Sequence, residues 1–404
     1  MAEPERVAIV LTGAAARGAF QAGALATLLP ALRAQGLTPT VAIGTSAGAI
    51  NASLWASLAH LPVQQTVDGL LDVWRETDSD DIFTHPILSL PATAWDAVRS
   101  SLGLGGGVES LLDTSGLVAT ARESLDAEQI AANVEQGVVQ AVGVAATRMP
   151  STAEPATISS GRSVVFLDTR LDASAVDDPQ RAVDLAQTVV DADHVIASSA
   201  IPMAFPAVWL DDPSAFRGWY SDGGIRLNAP LRPAVQLGAD RLVVVAAHAV
   251  TYGHAPGPEP VGAPQPDVAD SAAHVLHSVL ADRMVEDLAD LRWKNAMCQA
   301  SDQPLPDRCG RPMRPVPFMA VAPAPGQLAD VADAVLAEKY GTWPWRWLDD
   351  SGTWLLGRVL RSLGDGPGRA ELLSYLAFEQ EYFAAQIVLG AEAAEAALAR
   401  GWEL

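Results

Sequence analysis

Short apolar runs recur along the N-terminal part of the chain and alternate with stretches of helical spacing. The runs cover residues 7–11, 41–43, 139–146, 164–167 and 242–247. Continuous runs of Val, Ile, Leu and Ala with this length are typical of strands that are buried on both faces of a sheet. Strands that alternate with helices form a mostly parallel sheet with helices on both sides. The sequence therefore predicts an α/β fold with three layers.

The organisation of the chain changes after residue 251. Residues 251–267 contain five prolines and three glycines, a composition that excludes a regular helix or an interior strand. We therefore predict three segments, which are an α/β domain over residues 1–251, a linker or loop over residues 252–268 and a mainly helical region over residues 269–404.

The C-terminal region has a helical pattern and a cluster of tryptophans. The spacing predicts that Leu372, Leu376, Phe383 and Ile387 share one helix face, and residues 317–321 offer one further strand. Four tryptophans crowd residues 343–354, which predicts packing onto the core, contact with a lipid interface or a lid. They are Trp343, Trp345, Trp347 and Trp354.

The net charge and the cysteine count exclude some classes of protein. The formal net charge of −22 opposes binding to nucleic acid and to anionic membranes, so peripheral membrane contact would require apolar insertion. Cys298 and Cys309 are too few for a disulfide scaffold and favour a reducing compartment. The sequence has no signal-peptide pattern and no apolar stretch of about 18 residues, which predicts a cytoplasmic protein.

A turn of small residues presents a serine after the second predicted strand. Residues 44–48 read Gly-Thr-Ser-Ala-Gly and precede a helical stretch. Gly44 and Gly48 keep such a turn uncrowded, so Ser46 can be presented beside a helix N-terminus as a nucleophile. The same pattern also fits a helix start that packs closely against a strand.

A second turn of small residues follows the first predicted strand. Backbone N–H groups in such a loop can point at an anion, either a phosphate or the oxyanion of an acyl-transfer intermediate. A P-loop is excluded because it needs Gly-Lys-Ser/Thr where this chain continues Gly18-Ala19-Phe20. The candidate residues of this loop are Gly13, Ala14, Ala15, Ala16, Arg17 and Gly18.

The third candidate is Asp222, which is followed by Gly223 and Gly224. Two glycines leave the carboxylate unshielded, as a general base requires. Asp-Gly is equally a common turn signal, so these residues alone predict a turn. Their order after the small-residue loop and the serine turn favours a catalytic interpretation.

Together these segments resemble the patatin-like phospholipase family over residues 6–250. Residues 11–25 resemble the family's glycine-rich oxyanion block, which ends in Arg-Gly. Residues 44–52 match its Gly-x-Ser-x-Gly motif and the continuation of that motif. Residues 197–206 and residues 222–224 resemble the block that leads to its catalytic Asp-Gly-Gly.

The resemblance implies a three-layer patatin-like fold and a serine lipid acyl hydrolase without a cofactor or a metal. Asp222 would accept the proton of Ser46 during attack on the ester of a phospholipid or lysophospholipid, forming an acyl-enzyme. The N–H groups of residues 14–16 would stabilise the oxyanion. Ala14 and Ala15 replace glycines usual in the family, which costs about 1 kcal/mol where a left-handed backbone is needed.

Several alternatives stay open at the level of sequence. The order Ser46, Asp222, His248 is that of an α/β-hydrolase triad. A lipid-binding or scaffold protein could keep the fold without activity, and an acyltransferase could use an acceptor other than water. Arg17 is expected to orient the oxyanion loop, to contact a lipid phosphate or to form a surface salt bridge.

Overall fold

The fold is described by a computed structural model. It describes residues 5–77, 121–150, 161–202, 204–250, 262, 265–307, 312–340 and 366–404. The tryptophan cluster at 343–354 and most of the predicted linker at 252–268 lie outside the described residues. The role of the tryptophans and the three-segment division therefore stay predictions.

The described residues form one sheet of nine strands. The strands are β1 (Val7–Leu11), β2 (Pro39–Thr45), β3 (Ala141–Arg148), β4 (Arg162–Thr169), β5 (Val183–Gln187), β6 (Val208–Leu210), β7 (Gly218–Asp222), β8 (Arg241–Val245) and β9 (Phe318–Val321). Their order is β5-β4-β3-β2-β1-β8-β9, while β7 pairs with β3 and β6 pairs with β7. The pairs β3–β4, β3–β7 and β6–β7 are antiparallel and the others are parallel. The predicted α/β fold with a mostly parallel sheet is confirmed.

The strands that the apolar runs predicted are the buried ones. Each of the five runs overlaps a strand, and the run at 317–321 contributes β9 beside β8. Strands β5, β6 and β7 were not predicted, because partly exposed residues interrupt their apolar sequence. In the β6–β7 hairpin, for example, the paired Trp209 and Trp219 are both exposed.

Helices cover the sheet and build the C-terminal region. They are α1 (Gly18–Ala34), α2 (Ala47–Leu58), α3 (Val63–Glu76), α4 (Ala127–Glu135), α5 (Ala192–Ser198), α6 (Gly224–Leu227), α7 (Leu231–Gln236), α8 (Val268–His277), α9 (Arg283–Ala300), α10 (Gln327–Tyr340), α11 (Pro367–Ser374) and α12 (Gln380–Arg400). A π-helical turn at Ser278–Asp282 joins α8 to α9. The helix predicted at 20–33 is confirmed as α1.

The prediction that Leu372, Leu376, Phe383 and Ile387 share one helix face is wrong. Leu372 lies in α11, whereas Phe383 and Ile387 lie in α12. The chain leaves the helix after Ser374, and side-chain spacing alone does not reveal such a break. The predicted mainly helical character of this region is confirmed.

The last helix packs closely on the first one. A Cβ atom on Gly23 of α1 would lie 2.1 Å from the carbonyl oxygen of Ile387, and one on Gly390 of α12 would lie 2.0 Å from that of Phe20. Glycine at both positions lets the two helix backbones approach each other. Helix α12 and strand β9 thus attach the C-terminal region to the α/β part.

None of the helices in the described residues combines the length and the apolar character needed to cross a bilayer.

Candidate active site

Strands β2 and β7 pair with the same edge of β3, and their carboxyl ends meet there. Thr45 of β2 pairs with Ala145, and the next residue of β3, Ala146, pairs with Asp222 of β7. Because β2 is parallel to β3 and β7 is antiparallel to it, their carboxyl ends meet. Ser46 follows β2 directly, so this register brings Ser46 next to Asp222.

Ser46 occupies a sharp turn between β2 and α2. Its φ of +55° and ψ of −128° lie in a region that costs a residue with a side chain about 1–3 kcal/mol. A Cβ atom on Gly44 would lie 2.0 Å from the carbonyl oxygen of Gly48. One on Gly48 would lie 2.5 Å from the carbonyl oxygens of Leu11 and Thr12. The two glycines of the motif are therefore sterically required by this turn.

The backbone of Ser46 is held by Ser198, to which the sequence analysis gave no role. The Ser46 N–H donates to Ser198 Oγ at 2.8 Å, and that hydroxyl donates to the carbonyl of Ala145 at 2.6 Å. Ser198 is fully buried at the end of α5. The only sequence signal was its position in the block at 197–206 that resembles the family.

Asp222 is a buried carboxylate with a perturbed pKa. Burial raises its pKa to about 6, and hydrogen bonding from the Ser46 side chain and the Gly224 N–H opposes this rise. The Gly224 N–H donates to Asp222 Oδ1 at 2.6 Å. A Cβ atom on Gly223 would lie 2.1 Å from the carbonyl oxygen of Ala145, so this position also needs glycine. The site therefore places a hydroxyl beside a carboxylate whose affinity for a proton is raised.

The small-residue loop has two N–H groups free to bind an anion. The N–H groups of Gly13 and Ala16 donate to the carbonyls of Asn228 and Tyr375, at 3.1 and 3.2 Å, and that of Arg17 donates to Ala14 at 2.9 Å. Within the described part of the chain, no hydrogen bond occupies the N–H groups of Ala14 and Ala15. Of the N–H groups expected at residues 14–16 to bind an anion, that of Ala16 is therefore already bonded, and those of Ala14 and Ala15 are the remaining candidates.

Two residues of the loop show how its backbone is accommodated. Ala15 adopts a φ of +48°, the left-handed region whose cost for alanine was expected from the sequence. A Cβ atom on Gly18 would lie 2.2 Å from the Trp74 ring, so glycine is required where the loop enters α1.

Arg17 is buried, so its expected surface salt bridge is wrong. Its guanidinium forms an ion pair with Glu371 at 2.8 Å and a hydrogen bond with Ser374 Oγ at 3.0 Å. It also lies 3.9 Å from the centroid of the Tyr375 ring. These partners all belong to the C-terminal region, and the sequence analysis did not identify them. The side chain of Arg17 thus ties the loop to α11 and the residue after it.

An apolar cavity opens beside Ser46. It lies between the loop, α2, α3 and the segment after α5. Its lining includes Ala15, Ser46, Ala47, Ile50, Leu54, Val73, Trp74, Leu125, Ile201, Phe205 and Phe378. A cavity with this lining fits a hydrocarbon chain far better than a charged group.

His248, the histidine of the alternative triad, lies outside the cavity at Ser46. His248 Nε2 lies 2.8 Å from the hydroxyl of Tyr375, and burial lowers its pKa well below the usual value. His248 lines a second cavity together with Arg17 and His277, not the cavity at Ser46. His194 Nδ1 lies 2.7 Å from Asp191 in a helix cap. In the described ranges, no group of three or more His, Cys, Asp or Glu residues could hold a metal ion.

Comparison with known proteins places the chain in a family. The sequence has no significant match among curated proteins. Among solved structures, the chain is similar to VipD from Legionella pneumophila, with 12% sequence identity and a TM-score of 0.28. The match covers 95% of this chain and 67% of the VipD chain. The chain is also similar to human GIVD cytosolic phospholipase A2, with 12% sequence identity and a TM-score of 0.37. That match covers 97% of this chain and 63% of the phospholipase chain. The family described as patatin-like phospholipase matches residues 9–235, which include both Ser46 and Asp222. The chain therefore belongs to the patatin-like phospholipase family.

Proposed function

We propose that this chain is a serine lipid acyl hydrolase that cleaves phospholipid or lysophospholipid esters through a Ser46–Asp222 dyad. The observation that carries the proposal is the end-to-end meeting of β2 and β7, which sets the Ser46 side chain against a buried carboxylate. Membership of the patatin-like phospholipase family supports lipid acyl hydrolysis as the activity.

Acylation begins when the Asp222 carboxylate accepts the proton of the Ser46 hydroxyl. The serine oxygen attacks the ester carbonyl, and the N–H groups of Ala14 and Ala15 donate to the resulting oxyanion. Each donor of this kind contributes about 3–4 kcal/mol to transition-state stabilisation in comparable sites. Protonated Asp222 then gives its proton to the departing alcohol or lysolipid, which leaves an acyl group on Ser46.

A carboxylate is a weak base unless its pKa is raised. Burial of Asp222 raises its pKa to about 6, which is closer to neutral pH, so the carboxylate is a stronger base and is still mostly ionised at pH 7. The hydrogen bonds from Ser46 and Gly224 limit this rise in pKa, so Asp222 can both accept a proton and return it.

The apolar cavity supports an acyl chain as the part of the substrate that is recognised. Ser46 lies at one side of this cavity, and Ile50, Leu54 and Phe205 line its interior. Phe378, from the segment between α11 and α12, closes another side. The C-terminal region therefore shapes access to the site in this proposal and takes no part in the chemistry.

The proposal is tested by labelling the purified protein with a fluorophosphonate and locating the adduct by mass spectrometry. We expect labelling on Ser46, together with hydrolysis of short-chain esters that Ser46→Ala abolishes without lowering the melting temperature. Unlabelled protein without ester turnover would instead favour a non-catalytic lipid-binding or scaffold role. Turnover that appears only with added alcohols or lysolipids would favour acyl transfer.

A further inference from the structure

The side-chain amide of Asn228 is buried, and only its nitrogen has a hydrogen-bond partner among the described residues. The residue follows α6 and is 3% exposed. Its Nδ2 donates to the carbonyl of Leu280 at 2.6 Å, and its own carbonyl accepts the N–H of Gly13 at 3.1 Å. Its Oδ1 is buried and makes no hydrogen bond to any part of the chain that the structure describes.

The orientation of this amide is fixed by its neighbour. If the amide were flipped, the side-chain oxygen would lie 2.6 Å from the carbonyl oxygen of Leu280, where no hydrogen bond could form. A buried acceptor that is left unpaired costs about 1–3 kcal/mol, so its retention calls for an explanation.

The Oδ1 atom lies near both residues of the dyad. A Cβ atom on Gly13 would lie 2.3 Å from Asn228 Oδ1 and 3.5 Å from Ser46 Cβ. A Cβ atom on Gly224 would lie 3.0 Å from Asn228 Oδ1 and 2.8 Å from Asp222 Oδ1. Asn228 Oδ1 and Asp222 Oδ1 therefore both lie beside Gly224, close enough to each other for one water molecule to bridge them, and a side chain at Gly13 or Gly224 would overlap these oxygens.

We infer that Asn228 binds the water molecule that hydrolyses the acyl-enzyme, an inference that rests on the proposed function. A water molecule has two protons to donate, and Asp222 and Asn228 offer the two acceptors. When both protons are held, an oxygen lone pair is left to point toward the acyl carbon on Ser46. The Asn228 side chain thus orients the water without exchanging a proton.

Deacylation then proceeds as a balanced step. The water oxygen forms a bond to the acyl carbon while one of its protons moves to the Asp222 carboxylate. The bond between the acyl carbon and the Ser46 oxygen breaks, and the proton on Asp222 returns to that oxygen. The products are a free carboxylic acid and the regenerated dyad. The Asn228 oxygen accepts the second hydrogen bond of the water throughout the attack.

The inference predicts a selective defect in Asn228→Leu, which removes the acceptor with little change of side-chain volume. Rapid mixing of full-length protein with a p-nitrophenyl ester should give a burst of p-nitrophenol near one equivalent per site. Steady turnover after the burst should fall by at least about tenfold, because the attacking water loses one of the two acceptors that orient it. Fluorophosphonate should label Ser46 at the wild-type rate, because acylation does not use this water.

Hydroxylamine distinguishes water binding from distortion of the site. Its nitrogen can attack the acyl carbon without being oriented by hydrogen bonds to Asp222 and Asn228. Hydroxylamine should therefore release the acyl group from Asn228→Leu and from the wild type at similar rates. Asn295→Leu is a matched control, because the side chain of Asn295 is equally buried and forms its hydrogen bonds with Val316. This control should lower the melting temperature without producing a burst.

Asn228→Ala serves as a second variant if the leucine does not fold, and the same results are expected. Wild-type steady turnover in a folded Asn228 variant would overturn the inference, as would equal losses of labelling, burst and hydroxylamine cleavage. In both cases a wild type that still labels on Ser46 and hydrolyses esters leaves the proposed function intact. A wild type that does neither overturns the proposed function and the inference together.

Discussion

The Arg17 guanidinium lies 3.9 Å from the centroid of the Tyr375 ring, and the Tyr375 carbonyl accepts the N–H of Ala16. One residue of the C-terminal region therefore contacts the small-residue loop at residues 13–18 through its side chain and its backbone. The ion pair between Arg17 and Glu371 adds a third link. Because Ala15 lies in an unfavourable backbone region, such outside support is needed to hold the loop.

Arg17→Ala should therefore weaken both the fold and catalysis. It leaves the Glu371 carboxylate without its cation and frees the loop, and breaking a buried ion pair from one side costs about 3–5 kcal/mol. Since the Glu371 side chain is 22% exposed, we expect the lower end of that range. Thermal melting and the rate of fluorophosphonate labelling measure the two effects.

Tyr375→Phe is the matched control for this variant. It keeps the ring over Arg17 and the carbonyl that binds Ala16, and it removes only the hydroxyl that lies near His248. Labelling should stay near the wild-type rate. An Arg17→Ala protein that labels as fast as the wild type would show that the loop does not depend on this contact.

Asp222→Asn and His248→Ala should rank in opposite ways under the two hydrolase mechanisms. If Asp222 is the direct base, its substitution removes nearly all turnover, whereas His248→Ala lowers turnover by no more than about tenfold through local packing. A triad would instead lose several orders of magnitude with the imidazole. Both variants are assayed on the same ester with melting temperatures in parallel. Collapse of activity in a stable His248→Ala protein would restore the triad.

Activity should increase with pH on the acid side. The dyad needs ionised Asp222, whose pKa is raised to about 6 by burial. The value of kcat/KM should therefore rise through an apparent pKa near 6 and level off above it. Initial rates on a neutral ester between pH 4 and pH 8 test this prediction. An apparent pKa close to the ordinary value of an aspartate would contradict the assignment of buried Asp222 as the base.

The same shift predicts how Asp222 affects stability. The folded state holds the Asp222 proton more tightly than the unfolded state. The stability that this proton adds to the folded state is therefore fully present below pH 3.8 and is lost as pH rises through about 6. Ionised Asp222 is thus a cost at neutral pH, of at most about 3 kcal/mol. The stability of Asp222→Asn relative to the wild type should be higher at pH 8 than at pH 4 in urea unfolding. The reverse trend would contradict the raised pKa.

Filling the cavity should change the chain length that is preferred. Leu54→Phe adds volume to the lining of the cavity beside Ser46, so kcat/KM for long-chain esters should fall more than that for acetate esters. Leu61→Phe changes a separate cavity lined by Leu37 and Val63 and serves as the control. Equal losses for long and short esters would place the acyl chain elsewhere.

The sequence by itself determined the class of fold and the local geometry of the serine turn. Five continuous apolar runs predicted the buried strands, because a strand covered on both faces admits few polar residues. Gly44 and Gly48 predicted a sharp turn at Ser46, because small residues keep such a strand-to-helix turn uncrowded. Both predictions used only the order of residues within short segments of the chain.

Only the tertiary structure decided which distant residues meet. The hairpin of β6 and β7 is partly exposed and has no continuous apolar run. The pairing of β7 with β3, which brings Asp222 next to Ser46, could therefore not be predicted from residue spacing. The partners of Arg17 lie in the C-terminal region, where the local pattern wrongly predicted one helix face. Strand register and helix docking depend on contacts between segments far apart in sequence, and hydrophobic periodicity records only which face of each segment is buried.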